Sequence, residues 1–297
     1  MLKSFTRKYP FAVVFFLLVV FLQFSVFAEN PAEQVSTAEQ LSNEHVEIKM
    51  TVGGKERAAY VYAPQGLPAN RPLMISFHGM NMWHKGMADA AQFAQVADTA
   101  QFVVAYPNGD GQLPWDVGGD SELPFVAAII DKMHELYQID KKRVYISGFS
   151  WGANFCYRIA NRMGDKIAAM VPMMGYPYGG NPNVAECSHP LPVLQMLGRN
   201  GNLFGNDDIK GNVLDKWITL NGCEARPKRT NPYPADSTTS SVIKILWKNN
   251  ETGIEVVWMD TPNSHTIPMD ANQILSNVEA WNFCKRYNLD GLIDYCR

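Results

Sequence analysis

The sequence predicts an α/β protein with a mainly parallel sheet flanked by helices, and three observations support this fold class. Short apolar runs with β-forming residues alternate with longer stretches of helix-forming residues. Turn signals such as Pro107-Asn108-Gly109 end the apolar runs. The chain has 297 residues, which is enough for one α/β domain with a substantial core. Ligands of such a fold bind at the carboxyl ends of the strands.

The predicted elements begin with an antiparallel hairpin. Residues 46–52 and 57–63 alternate between apolar and polar side chains on either side of Gly53-Gly54. The following elements, in chain order, are a strand at 73–77, a helix at 88–100, a strand at 102–106, a helix at 123–137 and a strand at 144–147. Beyond residue 150 we predict a helix, strands at 167–173 and 193–197, a helix at 209–220, strands at 242–247 and 254–259, and a helix at 271–287.

The N-terminus has the features of a cleavable signal peptide. Lys3, Arg7 and Lys8 precede an apolar block that closes with Val26-Phe27-Ala28. We predict residues 1–28 as the signal peptide, 29–44 as a polar leader and 45–297 as the folded domain. An uncleaved anchor is the alternative that the apolar length nearly permits, and the small residue at the cleavage site favours removal. The protein is therefore expected to be secreted or periplasmic, without a stable membrane anchor.

Charge and composition restrict the classes of partner and cofactor that we expect. A formal net charge of -3 without a basic cluster argues against nucleic acid. No cofactor motif stands out, and His78 and His84 lack a third ligand at the spacing of a zinc site. We expect no metal and no cofactor, and the sequence specifies no oligomeric state.

Export places the five cysteines in an oxidising compartment, so disulfide bonds are expected. The simplest pairing joins Cys284 to Cys296 and Cys187 to Cys223. Cys156 would remain as a small apolar residue inside the helix after residue 150.

Residues 144–158 contain the most informative motif, a strand-like run followed by Gly148-Phe149-Ser150-Trp151-Gly152 and a helix-like segment. The two glycines allow a sharp turn that lifts the Ser150 hydroxyl above the sheet. Ser150 is therefore the candidate nucleophile, and the Trp151 amide is a candidate donor to an oxyanion. A glycine-rich connection without catalytic function is the competing interpretation.

A serine nucleophile needs a base from another loop. His265 follows the strand predicted at 254–259 and precedes the final helix, which is the chain order that an acyl-transfer site requires. The loop after the strand at 73–77 contains His78-Gly79, so the Met80 amide is the second candidate oxyanion donor. His78 is expected to brace this loop.

The acid that would orient His265 is ambiguous. It should follow the strand at 193–197, where Asp207 and Asp208 are the acidic residues of the loop. We place Asp207 first, although either residue also suits a helix N-cap. Asp260, directly before the histidine loop, is a third candidate.

With these residues placed, the chain resembles the secreted α/β-hydrolase esterases of the polyhydroxybutyrate depolymerase and feruloyl esterase type across residues 71–287. The resemblance is carried by PLMISFHG at 72–79, YPNG at 106–109, DKKRVYISGFSWG at 140–152, NGC at 221–223 and SHTIP at 264–268. It implies an α/β-hydrolase fold and gives Ser150, His265 and the Met80 amide the roles assigned above.

Two departures from the family pattern stand out. The family's H-G-T-x-D segment is replaced here by Leu197-Gly198-Arg199-Asn200-Gly201, so its usual aspartate is absent. Trp151 also places a bulky ring beside the nucleophile, where it would narrow the acyl pocket or cover the core.

The expected function is a secreted serine esterase that acts through an acyl-enzyme on small or oligomeric esters. Trp83, Trp115 and Tyr176 are candidate cleft residues for aryl or polymer esters. One alternative is a secreted peptidase or acyltransferase with the same catalytic residues. The other is a catalytically impaired α/β-hydrolase that serves as a binding protein, motivated by the missing family aspartate.

Overall fold

A ten-stranded sheet organises the part of the chain that the computed structural model describes, namely residues 44–177, 187, 189–200 and 213–293. The strands are β1 (Val46–Val52), β2 (Lys55–Tyr62), β3 (Leu73–Phe77), β4 (Val103–Pro107), β5 (Val144–Phe149), β6 (Ala169–Met173), β7 (Val193–Gly198), β8 (Lys228–Thr230), β9 (Ile243–Lys248) and β10 (Glu255–Thr261). Their order across the sheet is β1-β2-β4-β3-β5-β6-β7-β10-β9-β8.

The centre of the sheet is parallel. Strands β4, β3, β5, β6, β7 and β10 pair in parallel, whereas β1–β2 at one edge and β9–β8 at the other are antiparallel. The predicted mainly parallel sheet is therefore confirmed. The carboxyl ends of the parallel strands lie along one side of the sheet. The loops that carry Gly79, Ser150 and His265 follow these strand ends.

Helices cover both faces of the sheet. They are α1 (His84–Ala91), α2 (Phe93–Ala100), α3 (Leu123–Tyr137), α4 (Trp151–Met163), α5 (Asp215–Leu220) and α6 (Ser276–Cys284). Leu73, Ile75 and Phe77 of β3 pack into the apolar layer shared with α3, α4 and α5, and Met74 packs into the layer of α1, α2 and α6. Alternate strand residues thus bury against opposite layers, as the pleat of a strand dictates.

The predicted helix at 88–100 is two helices. Gln92 adopts a left-handed conformation with φ 51° and separates α1 from α2. Its carbonyl oxygen accepts a hydrogen bond of 2.9 Å from the Asn277 amide on α6. The break lets Met87 and Phe93 both bury completely against the sheet.

The C-terminal helix is shorter than the predicted 271–287. Residues 269–270 and 274–275 instead form the short strands β11 and β12, and Asp270 closes the turn between them by accepting the Gln273 and Asn272 amides. A second two-stranded ribbon, β13 (Tyr287–Asn288) and β14 (Gly291–Leu292), follows α6. Among the described residues no helix has the length and apolar character to cross a membrane.

The cysteines differ from the prediction. Cys187 and Cys223 are both free thiols, so the proposed pairing between them is wrong. The Cys187 thiol lies 3.2 Å from the His189 carbonyl oxygen, whereas Cys223 lies beside Ile254 of a different segment. Cys284 is also free and buried, and Cys156 is a buried free thiol as predicted.

Several predictions fall outside the described residues. These are the signal peptide at 1–28, most of the leader at 29–44, the first part of the helix at 209–220, and Cys296.

Replacing Phe155 with alanine is expected to lower the free energy of unfolding by about 3–5 kcal/mol, because it opens a cavity under α4. The ring is completely buried, lies edge-on to Phe77 and stacks on Trp115 at 5.3 Å. Urea unfolding measures the loss. Phe155→Leu is the control and should cost below about 1.5 kcal/mol, and equal losses for both variants would contradict the packing argument.

Candidate active site

Ser150 stands on a turn that only glycine neighbours permit. A Cβ at position 148 would lie 2.3 Å from the Gly152 carbonyl oxygen, and one at position 152 would lie 2.2 Å from the Phe77 carbonyl oxygen. Ser150 itself has φ 54° and ψ -116°, a conformation that L residues rarely adopt. Its amide donates to the Met173 carbonyl oxygen at 2.9 Å, which holds the turn over β6.

His265 reaches this serine from the loop after β10. Its Nε2 lies 2.8 Å from the Ser150 Oγ. Protein atoms around the imidazole, with the Phe149 ring centre 5.2 Å away, remove part of its hydration and lower its pKa from the ordinary value of 6.5. A neutral ring can accept the Ser150 proton at Nε2 when its own proton is on Nδ1. The structure therefore brings the predicted nucleophile and base into hydrogen-bonding contact.

The acid that would orient His265 is not identified among the described residues. Asp207 and Asp208 lie outside the described residues. Asp260 is described, and its carboxylate accepts a 3.0 Å hydrogen bond from Arg199. Within residues 44–177, 187, 189–200 and 213–293, the hydrogen bond of His265 is to Ser150, and no carboxylate pairs with it.

The loop after β3 borders the nucleophile. A Cβ on Gly79 would lie 3.1 Å from the Ser150 Cβ, so the backbone of this loop touches the serine. Met80 follows directly, and Trp151 is the first residue of α4. Both candidate oxyanion donors therefore belong to backbone that is adjacent to Ser150, and the amide of Trp151 adds the positive end of a helix dipole.

His78 braces this loop in a single protonation state. The Gly109 amide donates to its Nε2 at 3.0 Å, so the ring proton is on Nδ1 and donates to the Gly79 carbonyl oxygen at 2.9 Å. Burial lowers the pKa of His78 to about 4, which keeps the ring neutral near pH 7. Its role as a brace agrees with the prediction.

Trp115 connects three loops of the site. Its indole N–H donates to the His78 carbonyl oxygen at 2.8 Å, and its own carbonyl oxygen accepts from the Trp151 indole at 2.9 Å. The ring is 2 % exposed, so the prediction that it lines a cleft is wrong. The sequence carried no signal for this bridge, because it depends on contacts between segments 36 or more residues apart.

Other predicted site residues lie as follows. Trp83 and Met80 are 56 % and 47 % exposed, on the loop between β3 and α1. Tyr176 is half-buried, and its amide donates to Asn154 on α4. His84 pairs with Glu47 at 2.9 Å, and the described residues contain no cluster of three metal-ligating side chains.

The sheet order, the glycine-flanked serine turn at the end of a central strand, and a histidine after β10 define an α/β-hydrolase fold. A solved acetyl xylan esterase from Aspergillus awamori has the same fold, with a TM-score of 0.63 and 16% sequence identity over 80% of this chain and 99% of that one.

Three curated relatives extend the comparison. A bifunctional acetylxylan esterase/xylanase of Neocallimastix patriciarum is 29% identical over 80% of this chain and 34% of its own length. A poly(3-hydroxyalkanoate) depolymerase C of Paucimonas lemoignei is 29% identical over 40% of this chain and 31% of its own. Feruloyl esterase B of Piromyces equi is 25% identical over 59% of this chain and 38% of its own.

The chain therefore spans about a third of the length of these relatives. No family model matches it. The similarity to α/β-hydrolase esterases that the motifs indicated is confirmed by these comparisons.

The reactivity of Ser150 is expected to reach half its maximum below pH 6.5. Only neutral His265 can accept the serine proton, and desolvation favours the neutral ring. The fall in reactivity on the acid side of the pH profile is therefore expected at lower pH than for an ordinary histidine. The rate of labelling by a fluorophosphonate, measured from pH 4.5 to 8.5, checks this. A midpoint well above 6.5 would contradict this expectation and would show that a carboxylate, such as the candidate Asp207, stabilises the protonated ring by more than the desolvation disfavours it.

Proposed function

We propose that the protein is an exported serine carboxylic-ester hydrolase. The observation that carries the proposal is the 2.8 Å contact between His265 Nε2 and the Ser150 Oγ on a strained turn at the carboxyl edge of a parallel sheet. The esterase names of the curated relatives support this activity.

The reaction proceeds in two acyl-transfer steps. The Ser150 Oγ attacks the ester carbonyl carbon while His265 Nε2 takes its proton. The Met80 and Trp151 amides stabilise the negative oxygen of the tetrahedral intermediate. The carbon–oxygen bond to the alcohol then breaks, and His265 returns the proton to the departing alcohol.

A water molecule completes the cycle. It attacks the acyl group on Ser150 while His265 takes one of its protons. When the second tetrahedral intermediate collapses, the proton returns to the Ser150 Oγ and the carboxylic acid leaves. Asp207 is the acid proposed to support the imidazolium in both steps.

The proposed substrates are small or oligomeric esters. Met80 and Trp83 expose apolar surface on the loop that borders Ser150. An exposed indole favours a flat or ring-bearing group in the part of the substrate that reaches this loop. The relatives' names refer to acetylated xylan, feruloyl esters and polyhydroxyalkanoates, and the first two classes carry such rings.

Export is inferred from residues 1–28, with their charged start, apolar block and small-residue cleavage site. The destination would be the periplasm or the extracellular space.

Fluorophosphonate labelling of the mature protein tests the activity. Ser150→Ala and His265→Ala should each lower labelling and p-nitrophenyl acetate hydrolysis by at least about a thousandfold, because nucleophile and base act as one unit. Ser264→Ala, an exposed serine beside His265, is the control and should retain activity. A Ser150→Ala variant as active as wild type would refute the proposal.

The same experiment separates the alternatives. Product analysis with an added alcohol or amine acceptor distinguishes hydrolysis from acyl transfer, and a peptide panel tests for amide cleavage. Folded wild-type protein that neither labels nor hydrolyses esters would favour the binding-protein alternative.

Trp83→Ala is expected to lower kcat/KM for acetylated xylooligosaccharides about tenfold, since a stacking contact contributes about 1 kcal/mol or slightly more. Methyl acetate, which carries no ring, should be hydrolysed at the wild-type rate. Val278→Ala on α6 replaces a partly exposed apolar side chain elsewhere and serves as the control. Equal losses on both substrates would contradict a role for Trp83 in substrate recognition.

A further inference from the structure

The residues that replace the family's H-G-T-x-D segment contact the backbone that leads to His265. The Arg199 amide donates to the Thr261 carbonyl oxygen at 2.9 Å. The Arg199 guanidinium donates to the Asp260 carbonyl oxygen and to its carboxylate, each at 3.0 Å, and to the Ser241 carbonyl oxygen at 2.9 Å. One side chain thus ties the end of β10 to the segment before β9.

Asn200 continues the contact toward the histidine. Its side-chain amide donates to the Pro262 carbonyl oxygen at 2.7 Å, and its backbone amide donates to the Asn263 carbonyl oxygen at 3.2 Å. The fit is close at Gly198 as well, since a Cβ there would lie 2.4 Å from the Asn263 carbonyl oxygen. Residues 198–200, which we name the β7 clamp, therefore hold consecutive peptide groups from 260 to 263.

We propose that Arg199 and Asn200 are positioning residues that hold His265 in reach of Ser150. The proposal rests on the function proposed above. It assigns the placement of the His265 loop to Arg199 and Asn200, and it leaves the stabilisation of the imidazolium charge to the proposed acid Asp207. Residues 264–266 are exposed, so little packing holds this loop from the solvent side. Proton transfer requires the ring within a few tenths of an ångström of its productive position. The clamp supplies that restraint two residues before the histidine.

Asp260 has a defined part in this arrangement. Its carboxylate orients the Arg199 guanidinium, and both side chains are partly buried, at 21% and 30% exposed. Asp260→Asn keeps an oxygen that can accept from Arg199, so the clamp predicts activity within about threefold of wild type. If Asp260 were the acid of the triad, the same change would lower kcat by about 10⁴-fold.

Arg143 provides a matched control. Its Nε donates to the Asp140 carboxylate at 2.8 Å, and its guanidinium also binds the Asn70 carbonyl oxygen. Arg143 precedes the amino end of β5, whereas Ser150 follows the carboxyl end of the same strand. Arg143→Ala should therefore cost stability comparable with Arg199→Ala without affecting His265.

The experiment compares Arg199→Ala, Arg199→Lys, Asn200→Ala and Arg143→Ala in the mature protein. We expect Arg199→Ala to lower both kcat and the fluorophosphonate labelling rate by at least about tenfold, with KM within twofold, because a displaced base slows proton transfer without removing substrate contacts. Asn200→Ala should behave similarly, Arg199→Lys should recover part of the loss, and Arg143→Ala should match wild type.

Hydrogen exchange provides a readout independent of activity. Peptides covering 260–268 should exchange faster in Arg199→Ala than in Arg143→Ala. If wild-type protein proves inactive while this exchange difference is present, the proposed function fails and the structural clamp stands. The inference is overturned if exchange at 260–268 is unchanged, if the kcat loss equals that of Arg143→Ala, or if Asp260→Asn abolishes activity.

Discussion

The close approach of α4 to the end of β3 is the constraint on which the site depends. The Gly152 Cα lies so near the Phe77 carbonyl oxygen that no side chain fits. This contact forces the chain to turn within one residue, and Ser150 accepts an unfavourable φ of 54° as a result. The buried apolar layer shared by α4 and the sheet offsets the strain. Every other element of the site is arranged around a serine fixed in this way.

Two networks of hydrogen bonds converge on that serine from opposite sides. On one side, His78, Trp115 and Trp151 link the loop after β3, the loop after β4 and the start of α4. On the other, the β7 clamp holds the loop of His265. Both networks bind mostly backbone carbonyl oxygens, so they fix the course of the chain rather than the identity of exposed side chains. The exposed side chains of Met80 and Trp83 are not among the groups that these hydrogen bonds join.

The parts predictable from sequence are those set by local pattern. The strand at 73–77 and the helix at 123–137 have the predicted bounds, because apolar runs and turn residues mark both ends. Ser150 and His265 could be chosen because glycine spacing and chain order are themselves sequence features. By contrast, the break at Gln92 involves a hydrogen bond from Asn277, which lies 185 residues further along the chain. Trp115 likewise joins loops of the site through hydrogen bonds to residues that are distant in the sequence. The acid had no such local signature, and the candidates Asp207 and Asp208 lie outside the described residues.

The four cysteines among the described residues are free thiols of low reactivity. Burial raises the pKa of Cys156, Cys187 and Cys284, and it raises that of Cys223 to about 11. Only the thiolate reacts readily with oxidants and alkylating reagents, so these sulfurs are almost entirely in the inert form near neutral pH. The packing of the described residues contains no bond that a reductant can break. Alkylation of these four thiols is therefore expected to require local opening of the packing around them.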